Sequence, residues 1–162
     1  MDLIPNIGVG PVRFGMYPNE VAASFGANTT WQHWMGGNLN DALCYPGIIF
    51  YFDDHDTRGP LQHAKLIQIE AHPSFAGKLF ATELSRVTRR QVITRLGREH
   101  TGMREFANGS IEAPSLHMQW WFDPDGKLNI VQFYDKELMF SNVPGKHSAP
   151  GVLGWARRAL AP

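Results

Sequence analysis

Asp53-Asp54-His55-Asp56 places three carboxylates and an imidazole in four consecutive residues. Oxygen and nitrogen donors at that density are what a divalent cation takes. The run has no glycine at its sixth position and no closing glutamate, so it is not a twelve-residue calcium loop. Aspartate is also the ordinary currency of tight turns. No metal is expected there, and the loop reads as an acidic surface. The other reactive residue types are dispersed. Seven histidines, at positions 33, 55, 63, 72, 100, 117 and 147, form no H-x-x-x-H or H-E-x-x-H pair, which argues against a zinc hydrolase. Cys44 is the one cysteine; it excludes an internal disulfide and a cysteine-rich zinc site, and without a flanking signature it reads as a small buried apolar residue. Ser24, Ser74 and Ser85 lie in no G-x-S-x-G elbow. Gly8-Val9-Gly10 is followed by Pro11, which lacks the N–H that a phosphate would use. No catalytic residue and no cofactor are therefore expected, and the chain reads as a non-enzyme.

Lys plus Arg equals Asp plus Glu at 15 each, so net charge gives no footprint for nucleic acid or an anionic membrane. The balance conceals an asymmetry. Residues 1–70 hold three basic and seven acidic side chains, whereas residues 71–162 hold twelve and eight. Arg86, Arg89, Arg90, Arg95 and Arg98 fall within thirteen residues. That is either a solvated helix face or one of two surfaces of opposite sign that steer a charged partner. The aromatics add anchors. Trp120 and Trp121 are neighbours on an expected strand, so one points to each side of the sheet. An exposed Trp120 near Tyr51 would be the kind of residue that dominates a protein interface, and Trp31 and Trp34 could serve likewise from a connector. The alternative is that the C-terminal segment covers that face. The candidate partner-binding set is Asp53, Asp54, Asp56, Tyr51, Trp31, Trp34 and Trp120.

The elements that must position these residues repeat. Pro18 suits a first helical position, Glu20 the positive end of the helix dipole, and Val21 and Phe25 share one face before Gly26 stops an expected helix over 18–25. A Gly/Asn-rich connector over 26–43 precedes a strand at Gly47–Phe52, a turn-rich loop at Asp53–Pro60 and a strand from Leu61 to Ala71. A second helix spans Leu84 to Gly97, capped by Ser85 or Thr88, with Val92 and Leu96 repeating Val21 and Phe25 at an offset of 71 residues. Strands at Leu116–Phe122 and Leu128–Tyr134 flank the tight turn Asp123-Pro124-Asp125-Gly126. Phe122-Asp123 repeats Phe52-Asp53 at an offset of 70. A short edge strand over Leu138–Val143 and a terminal helix over 152–160 complete the reading. The expected fold is α+β: two helix–β-hairpin repeats forming one antiparallel sheet with helices on one face. One domain covers 1–162, with repeats at about 7–71 and 79–134 and a C-terminal segment over 135–162. No apolar run approaches 18 residues and the N-terminus has no basic-then-apolar signal, so no membrane span is expected and a cytoplasmic setting is the simplest reading.

Gly8-Val9-Gly10-Pro11-Val12-Arg13-Phe14-Gly15-Met16, followed by Glu20-Val21 and Phe25-Gly26, resembles the opening of a family of small bacterial proteins with a GxGPxxFGM pattern. Phe50-Tyr51-Phe52-Asp53, Leu66–Glu70 and Gly77-Lys78-Leu79-Phe80 are similar to its middle. Many members look like immunity proteins of polymorphic or contact-dependent toxins, and the tandem arrangement is similar to that of the β-lactamase inhibitory protein. The resemblance implies an inhibitor that binds a cognate protein toxin stoichiometrically, without catalytic residues. The acidic loop would then imitate a nucleic-acid phosphate toward a basic toxin site. The other readings are a small-molecule-binding domain or small enzyme using an open sheet face as a pocket, and a homodimer formed through the sheet.

Overall fold

Alternation in the sequence builds the sheet, and register then decides what each face carries. The computed structural model describes residues 1–26, 40–98 and 102–140. Its order is β1 (Asp2–Ile4), β2 (Gly8–Val9), β3 (Val12–Arg13), α1 (Pro18–Phe25), β4 (Ala42–Tyr45), β5 (Ile48–Phe52), β6 (His55–Asp56), β7 (Gly59–Pro60), β8 (Leu66–Ala71), β9 (Lys78–Leu79), β10 (Thr82–Glu83), α2 (Arg89–Arg98), β11 (Arg104–Glu105), β12 (Ile111–Ala113), β13 (Met118–Phe122), β14 (Leu128–Tyr134) and α3 (Lys136–Phe140). Seven strands form one antiparallel sheet, ordered β11-β12-β13-β14-β8-β5-β4. A smaller mixed sheet, β10-β9-β1-β2-β3, ties the N-terminus to residues 78–79 through the parallel pair β1·β9. The architecture is α+β.

Two apolar rows cross the main sheet on one face. Phe50 opposes Ile69, which opposes Phe133, which opposes Met118. Ile48, Ala71, Val131, Trp120 and Ile111 form the next row. All of these residues are buried. Val21 of α1 and Val92 and Leu96 of α2 join them in one cluster, so both helices close the same face. In α1 the Tyr17 N–H donates to Glu20 Oε2 at 2.7 Å, and Phe25 packs on Phe50 with ring centroids 4.9 Å apart. In α2, Thr88 and Gln91 form a reciprocal cap, Gln91 N–H to Thr88 Oγ1 and Thr88 N–H to Gln91 Oε1. That cap starts the helix one turn later than the hydrophobic spacing predicts. Leu84–Arg86 form a 3₁₀ turn instead, separated from α2 by Val87 in extended conformation.

The structure departs from the expected elements at four further places. The connector yields an additional strand, β4, folded back on β5 through Gly47, whose φ of +74° suits a glycine. The strand expected from Leu61 begins at Leu66. Residues 104–113 add β11 and β12 beyond the expected hairpin. Residues 136–140 are helical rather than an edge strand, because Asp135 Oδ1 accepts the Leu138 N–H and starts a turn. Positions 141–143 and the terminal helix over 152–160 lie outside the described residues. No described helix is long and apolar enough to cross a membrane.

Candidate functional site

The second face of the main sheet carries what the core face does not. Its central row runs Cys44, Ile49, Glu70, Gln132, Gln119, Glu112 and Arg104, each opposite the next. A parallel row holds Ala42, Tyr51, Gln68 and Tyr134. Polar side chains on an interior strand need partners, and Glu70 has them. It is 3% exposed. Gln132 Nε2 donates to Glu70 Oε2 at 2.5 Å, and His72 Nε2 lies 3.0 Å from Glu70 Oε1. The His72 N–H in turn donates to Gly47 O, which fixes the residue at the strand end.

The electrostatics of this face keep its reactive groups protonated. Burial, reinforced by Asp41 and Glu70, pushes the Cys44 thiol up to about 11. Burial first, then the charges of Glu70, Asp41 and Cys44, holds the Tyr51 hydroxyl far above its usual range. Burial also raises the Asp41 carboxyl, opposed by its own backbone hydrogen bond and by His55. At neutral pH the Cys44 thiol and the Tyr51 hydroxyl are therefore protonated. A carboxylate beside an imidazole can orient a general base, and it can equally close a structural pair. Among the described residues no group of three or more His, Cys, Asp and Glu is placed to hold a metal ion.

The acidic loop forms a separate knuckle around the β6·β7 hairpin. Asp53 Oδ1 accepts the Lys65 N–H at 2.7 Å. Asp54 Oδ1 accepts the His55 N–H at 3.0 Å, and its Oδ2 pairs with His63 Nε2 at 3.0 Å. Asp56 accepts the Arg58 N–H at 2.7 Å and its guanidinium at 2.9 Å, and these bonds hold the Asp56 carboxyl below its usual range. All three carboxylates remain partly or fully at the surface.

Two expected anchors need correction. Trp120 is 0% exposed and belongs to the core row, so it presents no surface. Its neighbour Trp121 takes the second face, in phase with Gln119. Tyr51 is on the second face but only 9% exposed, so it is not an open contact. Trp31 and Trp34 lie outside the described residues. Glu70, His72 and Gln132 were not singled out from the sequence. Their signal is the alternation Gln68, Glu70, His72 between apolar neighbours, which marks a polar face on an otherwise apolar strand. Compared with known proteins, the chain matches no family model, no curated protein and no solved structure.

Proposed function

We propose that the chain is an immunity protein: it binds a cognate bacterial toxin domain in the cytoplasm and blocks it stoichiometrically. The observation that carries this reading is the acidic knuckle. Asp53, Asp54 and Asp56 are fixed by hydrogen bonds from their own loop while still facing solvent. Carboxylates held in place before contact lose little side-chain freedom on binding a basic surface. Residues 40–65 carry four acidic side chains (Asp41, Asp53, Asp54, Asp56) against two basic ones (Arg58, Lys65), which suits a cationic partner.

A tandem build also fits. The sheet reads β11-β12-β13-β14 on one side of the β14·β8 seam and β8-β5-β4 on the other, so the last strand of each half meets at that seam. Each half places one helix on the same face. This is the arrangement expected of two α-plus-sheet units. A second reading, a small-molecule site on the second face, is favoured by the Glu70–His72 pair.

The deciding experiment titrates the purified protein with the C-terminal domain of the toxin encoded beside its gene. A one-to-one complex is expected, weakened at least tenfold and made less salt-sensitive by the triple change Asp53→Asn, Asp54→Asn, Asp56→Asn. Absence of a complex, or of toxicity in cells lacking the protein, refutes the immunity reading. Unchanged affinity in the triple variant removes the knuckle from it.

A further inference from the structure

The arginines of α2 divide into two groups. Arg86 meets Glu83 at 3.1 Å and Arg89 meets Glu105, so these are paired. Arg90 and Arg98 have no carboxylate partner among the described residues. With Thr94 they follow the spacing i, i+4, i+8, and Gln91 and Arg95 form the adjoining stripe, so one side of the helix gathers these donors.

That side faces the β9–β10 hairpin across an open cavity of about 440 Å³. The size falls within the range of small-molecule sites. Its bottom is apolar, made by the buried side chains of Leu79, Val87 and Val92. Arg90, Arg95 and Arg98 line it from the solvent side, and among the described residues no acidic one lines it. The hairpin turn is Phe80-Ala81, with φ of +51° and +65°. A two-residue turn of that hand normally uses Asn-Gly. A phenylalanine in the left-handed region is strained. Here the turn sets the Phe80 ring in the cavity wall, where the Arg95 guanidinium lies 5.5 Å from its centroid.

We propose that this cavity binds a small organic phosphate. The arginine row holds the phosphoryl group, and an apolar or aromatic portion rests against Phe80. Arg90 and Arg98, two guanidinium forks with no carboxylate partner among the described residues, suit a dianion with three acceptor oxygens better than a single carboxylate. The apolar bottom and the ring distinguish an organic phosphate from free phosphate. This site is independent of the acidic knuckle and of any toxin.

The test is a titration of the full chain at low salt, followed by amide NMR shifts, with phenyl phosphate, inorganic phosphate and a single-stranded oligonucleotide as probes. Phenyl phosphate should bind at least fivefold tighter than inorganic phosphate and move the Phe80, Ala81 and α2 amides. The double change Arg90→Gln, Arg98→Gln should weaken phenyl phosphate about tenfold. Phe80→Gly relieves the turn, so it should fold at least as stably, yet it should bring phenyl phosphate down to the affinity of inorganic phosphate. Equal affinity of the two phosphates for the unaltered protein, or an unaffected double variant, overturns the proposal. Tighter binding of the oligonucleotide overturns it in favour of a nucleic-acid surface.

Discussion

Glu70→Ala tests whether the second face is held together by its buried carboxylate. The carboxylate receives the Gln132 amide and faces the His72 ring, and all three lie on the same side of the sheet. Removing it takes one hydrogen-bond partner from the part-buried Gln132 amide and His72 ring, at about 1–1.5 kcal/mol each. Loss of the Cγ methylene adds about 0.8 kcal/mol. Relief from burying a polar carboxyl offsets part of this, which leaves a net loss of about 2–3 kcal/mol. Glu70→Gln keeps the shape and one acceptor, so its loss should be about 1–2 kcal/mol. Urea denaturation followed by tryptophan fluorescence and far-ultraviolet circular dichroism gives the numbers. With a slope of about 2 kcal/mol per molar, the Glu70→Ala midpoint should fall by about 1–1.5 M. Glu112→Ala, in the same row but near the sheet edge, is the control and should cost less than about 1 kcal/mol. Glu70→Gln also removes one of the charges that raise the Cys44 thiol. The thiol pKa should drop below about 11 yet stay above 9.0, because burial is its larger cause. A Glu70→Ala protein within about 1 kcal/mol of the unaltered one would refute the reasoning, since the carboxylate would then be solvated.

Two further outcomes follow from the core and from Cys44. The thiol is raised from 9.0 to about 11, so below pH 9 neither folded nor unfolded chain ionises there and its contribution is fully present. Between pH 9 and 11 the unfolded thiol loses its proton while the folded one keeps it, and stability should fall by about 2–3 kcal/mol across that window. Cys44→Ala should flatten that part of the curve in urea midpoints taken at pH 8, 9.5 and 11; parallel curves would contradict the assigned burial. Trp120 is fully buried and its Nε1–H has no hydrogen-bond partner among the described residues. Trp120→Phe therefore trades lost packing, about 1–2 kcal/mol, against release of an unsatisfied donor, about 1–3 kcal/mol, and should lie within about 1 kcal/mol of the unaltered protein. Trp120→Ala should cost about 3–5 kcal/mol by the same urea assay. A Trp120→Phe loss above about 3 kcal/mol would mean that the indole N–H has a partner.

Local rules reached some elements and not others. The helix at 18–25 was legible because proline, a first-turn glutamate and a terminal glycine bracket one apolar stripe. The hairpin at 118–134 was legible because Asp123-Pro124-Asp125-Gly126 is a complete turn: Asp123 O accepts the Gly126 N–H at 2.9 Å, and Asp123 Oδ1 accepts the Lys127 N–H at 2.8 Å. The smaller sheet was not legible, since two-residue strands show no period and β1·β9 joins positions 76 apart. Trp120 was misplaced although the phase was available: Gln119 marks the polar side, and Trp121 shares it while Trp120 does not. In the candidate set, Asp53, Asp54 and Asp56 were read correctly as turn formers, but their fixed hydrogen bonds depend on Lys65, His63 and Arg58, which only the folded loop brings near.

The polar row also bears on how the two halves of the sheet hold together. The seam between them is the β8·β14 ladder, where Val131, Gln132, Phe133 and Tyr134 oppose Ala71, Glu70, Ile69 and Gln68. On the core face the seam is apolar and non-directional, so it tolerates a slip of two residues, which keeps both faces in phase, better than a hydrogen bond does. On the second face it is the Glu70–Gln132 bond, between residues 62 apart in sequence, which forms in one register only. A slip by one residue would turn Glu70 into the core and Ile69 out of it. A buried polar pair at a seam is thus a device for specifying alignment, more than a source of net stability. Sequence changes at the acidic knuckle or along α2 leave that pair untouched. The two proposed binding surfaces can therefore change without altering how the halves of the sheet align.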